Sequence, residues 1–116
     1  LRGRAEALAH ESSFREGFDL VTARGLARMP VLLEYTLPFC KIGGQVAALK
    51  HGGANLETEL AGAKRALDLL GGGISREYQV EVAGLTDNRV VVVVEKVATS
   101  PEKYPRKPGI PSKRPL

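Results

Sequence analysis

The stretch RVVVVVEK, residues 89 to 96, places the strongest constraint on the fold. Five consecutive valines are β-branched and apolar on both sides of an extended chain, so the run predicts a buried strand. It follows the alternating segment REYQVEVA after a short turn that contains Thr86, Asp87 and Asn88. Strands joined so closely must be antiparallel, and we therefore predict a hairpin of residues 76 to 83 with 89 to 97.

Two further strands precede this hairpin. FDLVTAR, residues 18 to 24, and GGQVAALK, residues 43 to 50, are short apolar runs separated by a predicted helix that begins near Pro30. A second helix is predicted from a cap at Asn55 to a stop at Gly71, because apolar residues recur there at helical spacing. These residues are Leu56, Leu60, Ala63, Leu67 and Leu70. Strands separated by helices are best placed parallel, which predicts an α/β fold with the hairpin at the sheet edge.

The predicted sheet is too small for its own apolar strands. Two parallel strands and a hairpin cannot cover both faces of a strand like Val90 to Val94, and the sequence LRGRAE begins without an initiator methionine. We therefore expect a chain truncated at its N-terminus. The expected organisation is half of a larger α/β domain over residues 1 to 98, followed by an extended tail over residues 99 to 116.

The composition fits one soluble domain. The chain has 116 residues, 43% of them apolar, and no run approaches the ~20 apolar residues that span a bilayer. The N-terminal residues lack the apolar stretch of a signal peptide. Cys40 is the single cysteine and has no partner for a disulfide or a zinc site. These features predict a cytoplasmic protein with no membrane partner and no metal, and we expect a monomer.

The net charge of +4 lies in the tail. Residues 1 to 98 carry twelve basic and twelve acidic side chains, whereas residues 99 to 116 carry five basic side chains against Glu102. The segment KYPRKPGIPSKRPL also contains four prolines, so it is expected to be extended and to form no helix. Such a tail can bind a phosphate backbone or can simply keep the protein soluble, and its composition leaves both interpretations open.

Only a few residues qualify as site residues by position. Ligands of doubly wound sheets bind beyond the carboxyl ends of the strands, where Arg24 and then Lys50 and His51 follow the two parallel strands. Arg24 can pair with a carboxylate or phosphate, or with a neighbouring acidic side chain. His51 is more simply an exposed loop residue and Cys40 a small buried one. The triplet at 71 to 73 follows a helix, so we interpret it as a flexible connector rather than a phosphate loop.

Several stretches together resemble one family, the bacterial ribosomal RNA small-subunit methyltransferases G, also called the glucose-inhibited division protein B family. They are GRAE at 3 to 6, FDLVTARGLA at 18 to 27, LPFCKIGGQVAALK at 37 to 50, NRVVVVVEK at 88 to 96 and YPRKPGIPSKRPL at 104 to 116. They occur in the order found in the family, and the resemblance runs through essentially the whole chain.

The resemblance implies a Rossmann-like class I methyltransferase that uses S-adenosylmethionine to methylate N7 of a guanine in 16S ribosomal RNA. The chain resembles the C-terminal half of that enzyme, with the later strands of the sheet and the antiparallel terminal hairpin. The glycine-rich cofactor loop of the family belongs to the half that precedes it. Methyl transfer to N7 requires alignment more than a strong base, which agrees with the lack of a catalytic dyad in this sequence.

Residue by residue, the resemblance implies two groups of site residues. Ala5 and Glu6 match the family's loop beside the cofactor adenine, and Arg24 matches an arginine close to the cofactor and the substrate entrance. Lys50 matches the lysine that closes the next strand, where contact with RNA and contact within the sheet rim are both possible. We expect the remaining RNA contacts from the tail, at Lys103, Arg106, Lys107, Lys113 and Arg114.

Two other interpretations belong to different functional classes. The chain could be a noncatalytic module that binds ribosomal RNA or the small ribosomal subunit without transferring a methyl group. It could also be a gene-fragment product without independent function, whose exposed apolar sheet edge would favour aggregation. Saturable binding of S-adenosylmethionine distinguishes the enzyme from both.

Overall fold

The computed structural model describes residues 8–11, 13–24, 27–80 and 89–116. They form a four-stranded sheet with helices on one face. In chain order the elements are β1 (Phe18–Arg24), α1 (Met29–Thr36) with a 3-10 turn (Leu37–Phe39), β2 (Cys40–His51), α2 (Ala54–Ala61), α3 (Lys64–Leu70), β3 (Gly72–Val80), β4 (Arg89–Lys96) and α4 (Ile110–Lys113).

The sheet confirms the predicted parallel pair and the predicted hairpin. The strand order is β1-β2-β4-β3, with β1 parallel to β2 and with β4 antiparallel to both of its neighbours. The hairpin lies at one edge of the sheet as predicted, with β3 as the edge strand and β4 on the inner side against β2. The reason is the valine run, which needs a strand on each side, whereas the polar sequence of β3 suits an edge. The connection that was expected to contain Asp87 lies outside the described residues.

The long predicted helix is two helices. α2 ends at a C-cap on Gly62, and α3 begins two residues later at Lys64. Asn55 is not the cap that the sequence predicted, since Gly53 occupies that position and no side chain caps the helix. Glycine at 62 interrupts the helix because it has the weakest helical preference of the ordinary residues. The apolar stripe continues across the break into α3, and Ala63, between the two helices, is buried.

The predicted stop at Gly71 is confirmed. This residue is the C-cap of α3 in the left-handed conformation, with φ at 85°. The rest of the glycine triplet is not the predicted connector, because Gly72 and Gly73 already belong to β3. A Cβ on Gly72 would lie 2.8 Å from Leu67 Cδ2 and 3.2 Å from Leu37 Cδ1, so the strand starts here in close contact with these leucines.

The core lies between the helices and one face of the sheet. Val46 and Ala48 of β2 stand opposite Val94 and Val92 of β4, and all four are fully buried. The predicted leucine stripe packs onto them from α2 and α3. On the opposite face the alternate residues are less covered, and on the edge strands Leu20 and Tyr78 are more than half exposed.

The tail packs against the domain rather than hanging free. Tyr104, Pro105 and Pro111 are buried, so an aromatic ring and two prolines hold it against the domain. The expectation that the tail contains no helix is wrong, because Ile110–Lys113 forms a short one. Proline is compatible with this helix because Pro111 lies in its first turn, where the missing N–H has no partner to lose. The boundary predicted between residues 98 and 99 stays a prediction.

Candidate functional site

The carboxyl ends of the parallel strands carry two arginines and a histidine. Arg24 ends β1 and His51 ends β2, and Arg89 begins β4 directly opposite His51. Arg24 and His51 are exposed, as expected for a strand end. A cavity of about 380 Å³ lies beside Arg24, with apolar walls contributed by Ala47, Leu49 and Val91. This edge therefore offers a guanidinium group next to an apolar surface.

Lys50 lies one residue before this strand end, but its side chain points inward. The residue is only 7% exposed. Its Nζ donates to the backbone oxygen of Ala27 at 2.7 Å and forms an ion pair with Glu59 Oε2 at 2.6 Å. The same carboxylate oxygen accepts the backbone N–H of Met29 at 2.9 Å. Of the two possibilities left open for Lys50, the structure shows the contact within the sheet rim.

Arg106 is also bound within the domain. Its side chain forms an ion pair with Glu34 of α1, at 2.8 Å between Nη2 and Oε1, and its backbone N–H donates to Oε2 of the same carboxylate at 2.7 Å. Glu34 is fully buried. The hydrogen bond to Glu34 raises the pKa of Arg106 above its usual value. Arg106 therefore fastens the tail to α1 while its side chain stays 25% exposed, and its expected contact with RNA stays a prediction.

The four remaining basic residues of the tail are exposed. They are Lys103, Lys107, Lys113 and Arg114. The ammonium of Lys103 lies 5.3 Å from the centre of the Tyr104 ring, at a distance suited to a cation–π contact. The tail returns along α1, where Tyr35 hydrogen bonds Ser112 at 3.0 Å.

The end of the tail reaches the same edge of the domain as Arg24. Pro115 lines a small cleft of about 110 Å³ together with Arg28, Pro30 and Glu59. Pro115 thus lies beside the exposed Arg28 at the start of α1. Sequence reasoning missed Arg28 and Glu59. The position of Arg28 after a predicted strand end could have identified it, whereas Glu59 gave no signal beyond its place on a helix.

The opposite ends of the strands carry a structural cluster. Lys96 is 1% exposed, and its Nζ donates to the backbone oxygens of Leu37 and Cys40 and pairs with Glu16 at 3.0 Å. Burial lowers the pKa of Lys96 and raises the pKa of the Cys40 thiol. Arg15 donates to four backbone oxygens, three of which belong to the tail between residues 100 and 104. This cluster anchors the first part of the tail.

Other candidate chemistry is limited in the part of the chain that the structure describes. Within residues 8–11, 13–24, 27–80 and 89–116 no group of histidine, cysteine and acidic side chains could hold a metal ion. His10 forms a hydrogen bond with the backbone oxygen of Pro105 at 2.5 Å, and Cys40 is buried. Both residues therefore contribute to packing within the domain. Ala5 and Glu6, the residues expected beside adenine, lie outside the described residues. No helix in the described ranges has the length and hydropathy needed to cross a membrane.

Comparison with known proteins supports the motifs found in the sequence. Ribosomal RNA small subunit methyltransferase G of Lactobacillus johnsonii is 46% identical over 116 residues, which cover all of this chain and 48% of that protein. The protein of the same name from Exiguobacterium sp. is 49% identical over 114 residues, or 47% of its length, and that of Moorella thermoacetica is 43% identical over 116 residues. The resemblance to this family is confirmed.

The chain spans about half the length of these curated relatives. No family model matches it. Among solved structures, a T. thermophilus 16S rRNA N2 methyltransferase in complex with AdoMet and guanosine aligns with a TM-score of 0.50 at 21% identity, over 75% of this chain and 22% of that one. At this identity the likeness concerns the fold alone, and it confirms the Rossmann-like class I architecture predicted from the resemblance.

Proposed function

We propose that this chain is part of an S-adenosylmethionine-dependent methyltransferase that modifies N7 of a guanine in 16S ribosomal RNA. The observation that carries the proposal is the match of the whole chain, at 43% to 49% identity, to proteins named ribosomal RNA small subunit methyltransferase G. The sheet order supports it, since a parallel pair continued by an antiparallel hairpin fits the methyltransferase fold of the structural neighbour. A cytoplasmic location follows from the proposed substrate, and a monomer stays a prediction.

The described residues fit one side of a site for S-adenosylmethionine. The cofactor carries a carboxylate, a sulfonium and an adenosine, and when bound it supplies an electrophilic methyl group. Arg24 offers a guanidinium suited to a carboxylate or a phosphate, and the neighbouring Ala47 and Leu49 offer an apolar wall. Ala5 and Glu6 are proposed to contact the adenine. Because guanine N7 already has a lone pair on the major-groove edge, these residues need only orient the reactants and exclude water.

The RNA is proposed to bind along the tail. Lys103, Lys107, Lys113 and Arg114 are exposed along the tail, and Arg28 lies beside the end of the tail at Pro115. Phosphate contacts of this kind give affinity without base selection. Lys50 and Arg106 are left out of this surface because their cationic groups are paired inside the domain.

The activity is tested with the protein in its full natural length, radiolabelled S-adenosylmethionine and small ribosomal subunits that lack the modification. We expect saturable cofactor binding and methyl transfer to a guanine that becomes sensitive to cleavage after reduction. Arg24→Ala should lower kcat/KM on the order of tenfold or more, since loss of alignment is costly, with little change in thermal stability. Full activity of this variant would contradict the role given to Arg24.

The binding surface is tested by the salt dependence of RNA affinity. Replacing Lys107, Lys113 and Arg114 by glutamine should make the slope of log K against log salt shallower, by roughly 0.7 to 0.9 for each phosphate that is no longer neutralised. The affinity for S-adenosylmethionine should not change. An unaltered slope would mean that the exposed charges serve solubility alone.

The noncatalytic RNA-binding module is not favoured by the comparisons, because the relatives are named as methyltransferases. It predicts RNA binding without any saturable binding of S-adenosylmethionine in the protein of full natural length. That result would replace the enzyme with the binding module.

A further inference from the structure

The last part of the tail is a loop closed by one guanidinium group. Arg106 Nη2 donates to Glu34 Oε1 of α1 at 2.8 Å and to the backbone oxygen of Arg114 at 2.5 Å. The backbone N–H of Arg106 donates to Glu34 Oε2 at 2.7 Å. Both ends of the segment 106 to 114, which we call the basic loop, are therefore bonded to one unit that is fixed on α1.

The middle of the basic loop is fixed to α1 as well. Ser112 hydrogen bonds Tyr35 at 3.0 Å, and Pro111 is fully buried. Within the loop, the N–H of Arg114 donates to the backbone oxygen of Ile110 at 2.8 Å and closes the short helix α4. The loop is thus held at its ends and at its centre before any ligand binds.

The charge of the basic loop has one sign. Its exposed cationic side chains are those of Lys107, Lys113 and Arg114. The loop contains no acidic side chain, and the carboxylate that holds it, Glu34, is fully buried and paired with Arg106. Three exposed cations on one short segment suit the phosphates of a polyanion, and a nucleic-acid backbone presents such phosphates in a row.

We infer that Glu34 and Arg106 are positioning residues for RNA binding, because they hold the cations of the basic loop in place before RNA binds. The choice of RNA as the ligand rests on the proposed function, whereas the closure of the loop does not. Ordering a flexible segment at an interface costs free energy, and a loop that is ordered in advance avoids this cost. Glu34 is buried, so it acts through the loop and touches no RNA.

Charge and position give opposite expectations for one substitution. Glu34→Met removes a negative charge and keeps every basic side chain of the tail, so the protein becomes more positive by one unit. If the tail bound RNA through its charge alone, this variant would bind RNA as tightly as the wild type or more tightly. If the closure of the loop matters, the variant binds RNA more weakly although it is more positive.

The test uses the protein in its full natural length and a fragment of unmodified 16S ribosomal RNA at one fixed salt concentration. In Glu34→Met, the Kd for RNA should rise on the order of fivefold, because side chains of the loop must now be ordered on binding. The amides of Ile110, Lys113 and Arg114 should exchange with solvent about tenfold faster, because the loop has lost the contact that closes it. The KM for small ribosomal subunits should rise, whereas kcat and the affinity for S-adenosylmethionine should not change.

Tyr35→Phe is a milder test of the same restraint. It removes only the hydroxyl that is bonded to Ser112 and leaves all charges in place. The Kd for RNA should rise on the order of twofold with little change in thermal stability. This variant keeps the test decisive if Glu34→Met does not fold.

Lys96→Met is the matched control for lost stability. It also removes one partner of a buried ion pair, but the partners of Lys96 are Leu37, Cys40 and Glu16, which lie outside the basic loop. The Kd for RNA and the exchange rates at residues 110, 113 and 114 should stay close to the wild-type values.

Unchanged or tighter RNA binding in Glu34→Met would overturn the positioning role, as would unchanged exchange in the basic loop. Equal losses of RNA affinity in Glu34→Met and Lys96→Met would also overturn it, because lowered stability would then explain both. A wild-type protein that does not bind the RNA fragment would contradict the proposed substrate instead, and the exchange rates would still decide whether Glu34 closes the loop.

Discussion

Loss of the Arg106 side chain should be among the most damaging changes in the tail. Glu34 has no exposed surface, and its two oxygens accept Nε at 3.1 Å, Nη2 at 2.8 Å and the backbone N–H of Arg106 at 2.7 Å. Arg106→Met removes the guanidinium bonds and leaves the carboxylate in a buried site with the backbone N–H alone. The free energy of unfolding should fall because the charge has no route to water.

The size of this effect follows from the geometry. Removing one partner of a buried ion pair costs about 3 to 5 kcal/mol. The Arg106 side chain is 25% exposed and one hydrogen bond to Glu34 remains, so we expect the lower end of that range, about 3 kcal/mol. Because whole domains are stable by only about 5 to 15 kcal/mol, this is a large fraction of the total.

A second variant separates the stranded charge from the altered packing. When Glu34→Met is combined with Arg106→Met, no buried charge remains, and two apolar side chains of similar length fill the space. The double variant should be more stable than Arg106→Met alone by about 1 to 2 kcal/mol, since apolar replacement of a buried pair is often close to neutral. Removing the charge also leaves the backbone N–H of residue 106 without its acceptor, which keeps the double variant below the wild type.

Urea unfolding, monitored by circular dichroism, measures these differences in the free energy of unfolding, provided that the m-value is unchanged. Lys107→Met is the matched control, because Lys107 is exposed one residue further along and its loss should cost under about 0.5 kcal/mol. If Arg106→Met is as stable as this control, or if the double variant is less stable than the single one, the buried charge at Glu34 is not what makes Arg106 important.

Two further predictions concern backbone and pH. Gly71→Ala should lower the free energy of unfolding by more than about 2 kcal/mol in thermal unfolding, because φ is 85° and a Cβ would lie 2.0 Å from the Ala98 oxygen. Gly43→Ala, where φ is 90° but no atom lies within 4 Å, should cost only about 1 kcal/mol, and equal losses would contradict the steric account. Burial lowers the pKa of Lys96 in the folded state, so between that pKa and its unfolded value the unfolded chain binds more protons. The stability of the wild type relative to Lys96→Met should therefore rise with pH across this alkaline window, and a fall would contradict the assignment.

Hydropathy patterns predicted the sheet because each strand carries its own periodic signal. The valine run, the alternating β3 and the two apolar strands were all identifiable from single segments of sequence. The position of β4 between β2 and β3 could not be identified in this way. Strand order depends on which strand faces and edges need to be covered, and not on the order of the strands in the chain. The break at Gly62 was missed for a related reason. A glycine inside a leucine stripe is compatible with one helix or two, and packing decides between them.

The site was predicted only where a residue's place along the chain determines its place in space. Arg24 and His51 follow parallel strands, so their position at the carboxyl edge could be deduced before the structure was known. The inward path of Lys50 could not, because it depends on Glu59, which reaches the lysine only after α2 folds back over the strand. The ion pair of Arg106 was missed in the same way, since a basic residue among exposed basic residues gives no sign of a buried acid on α1.

Lys50 and Lys96 together show why the type of contact does not assign a role by itself. Both are buried lysines near ends of strands, both bind the carbonyl of a neighbouring connection, and both use a glutamate to balance the charge. The buried charge is costly at either end and is retained because an ammonium can join chain segments that no apolar side chain would hold. At the Lys96 end the joined segments are the start of β2 and the residues that anchor the tail. At the Lys50 end they are Ala27 and the start of α1, close in the chain to Arg24 and to the edge where ligands of such sheets bind.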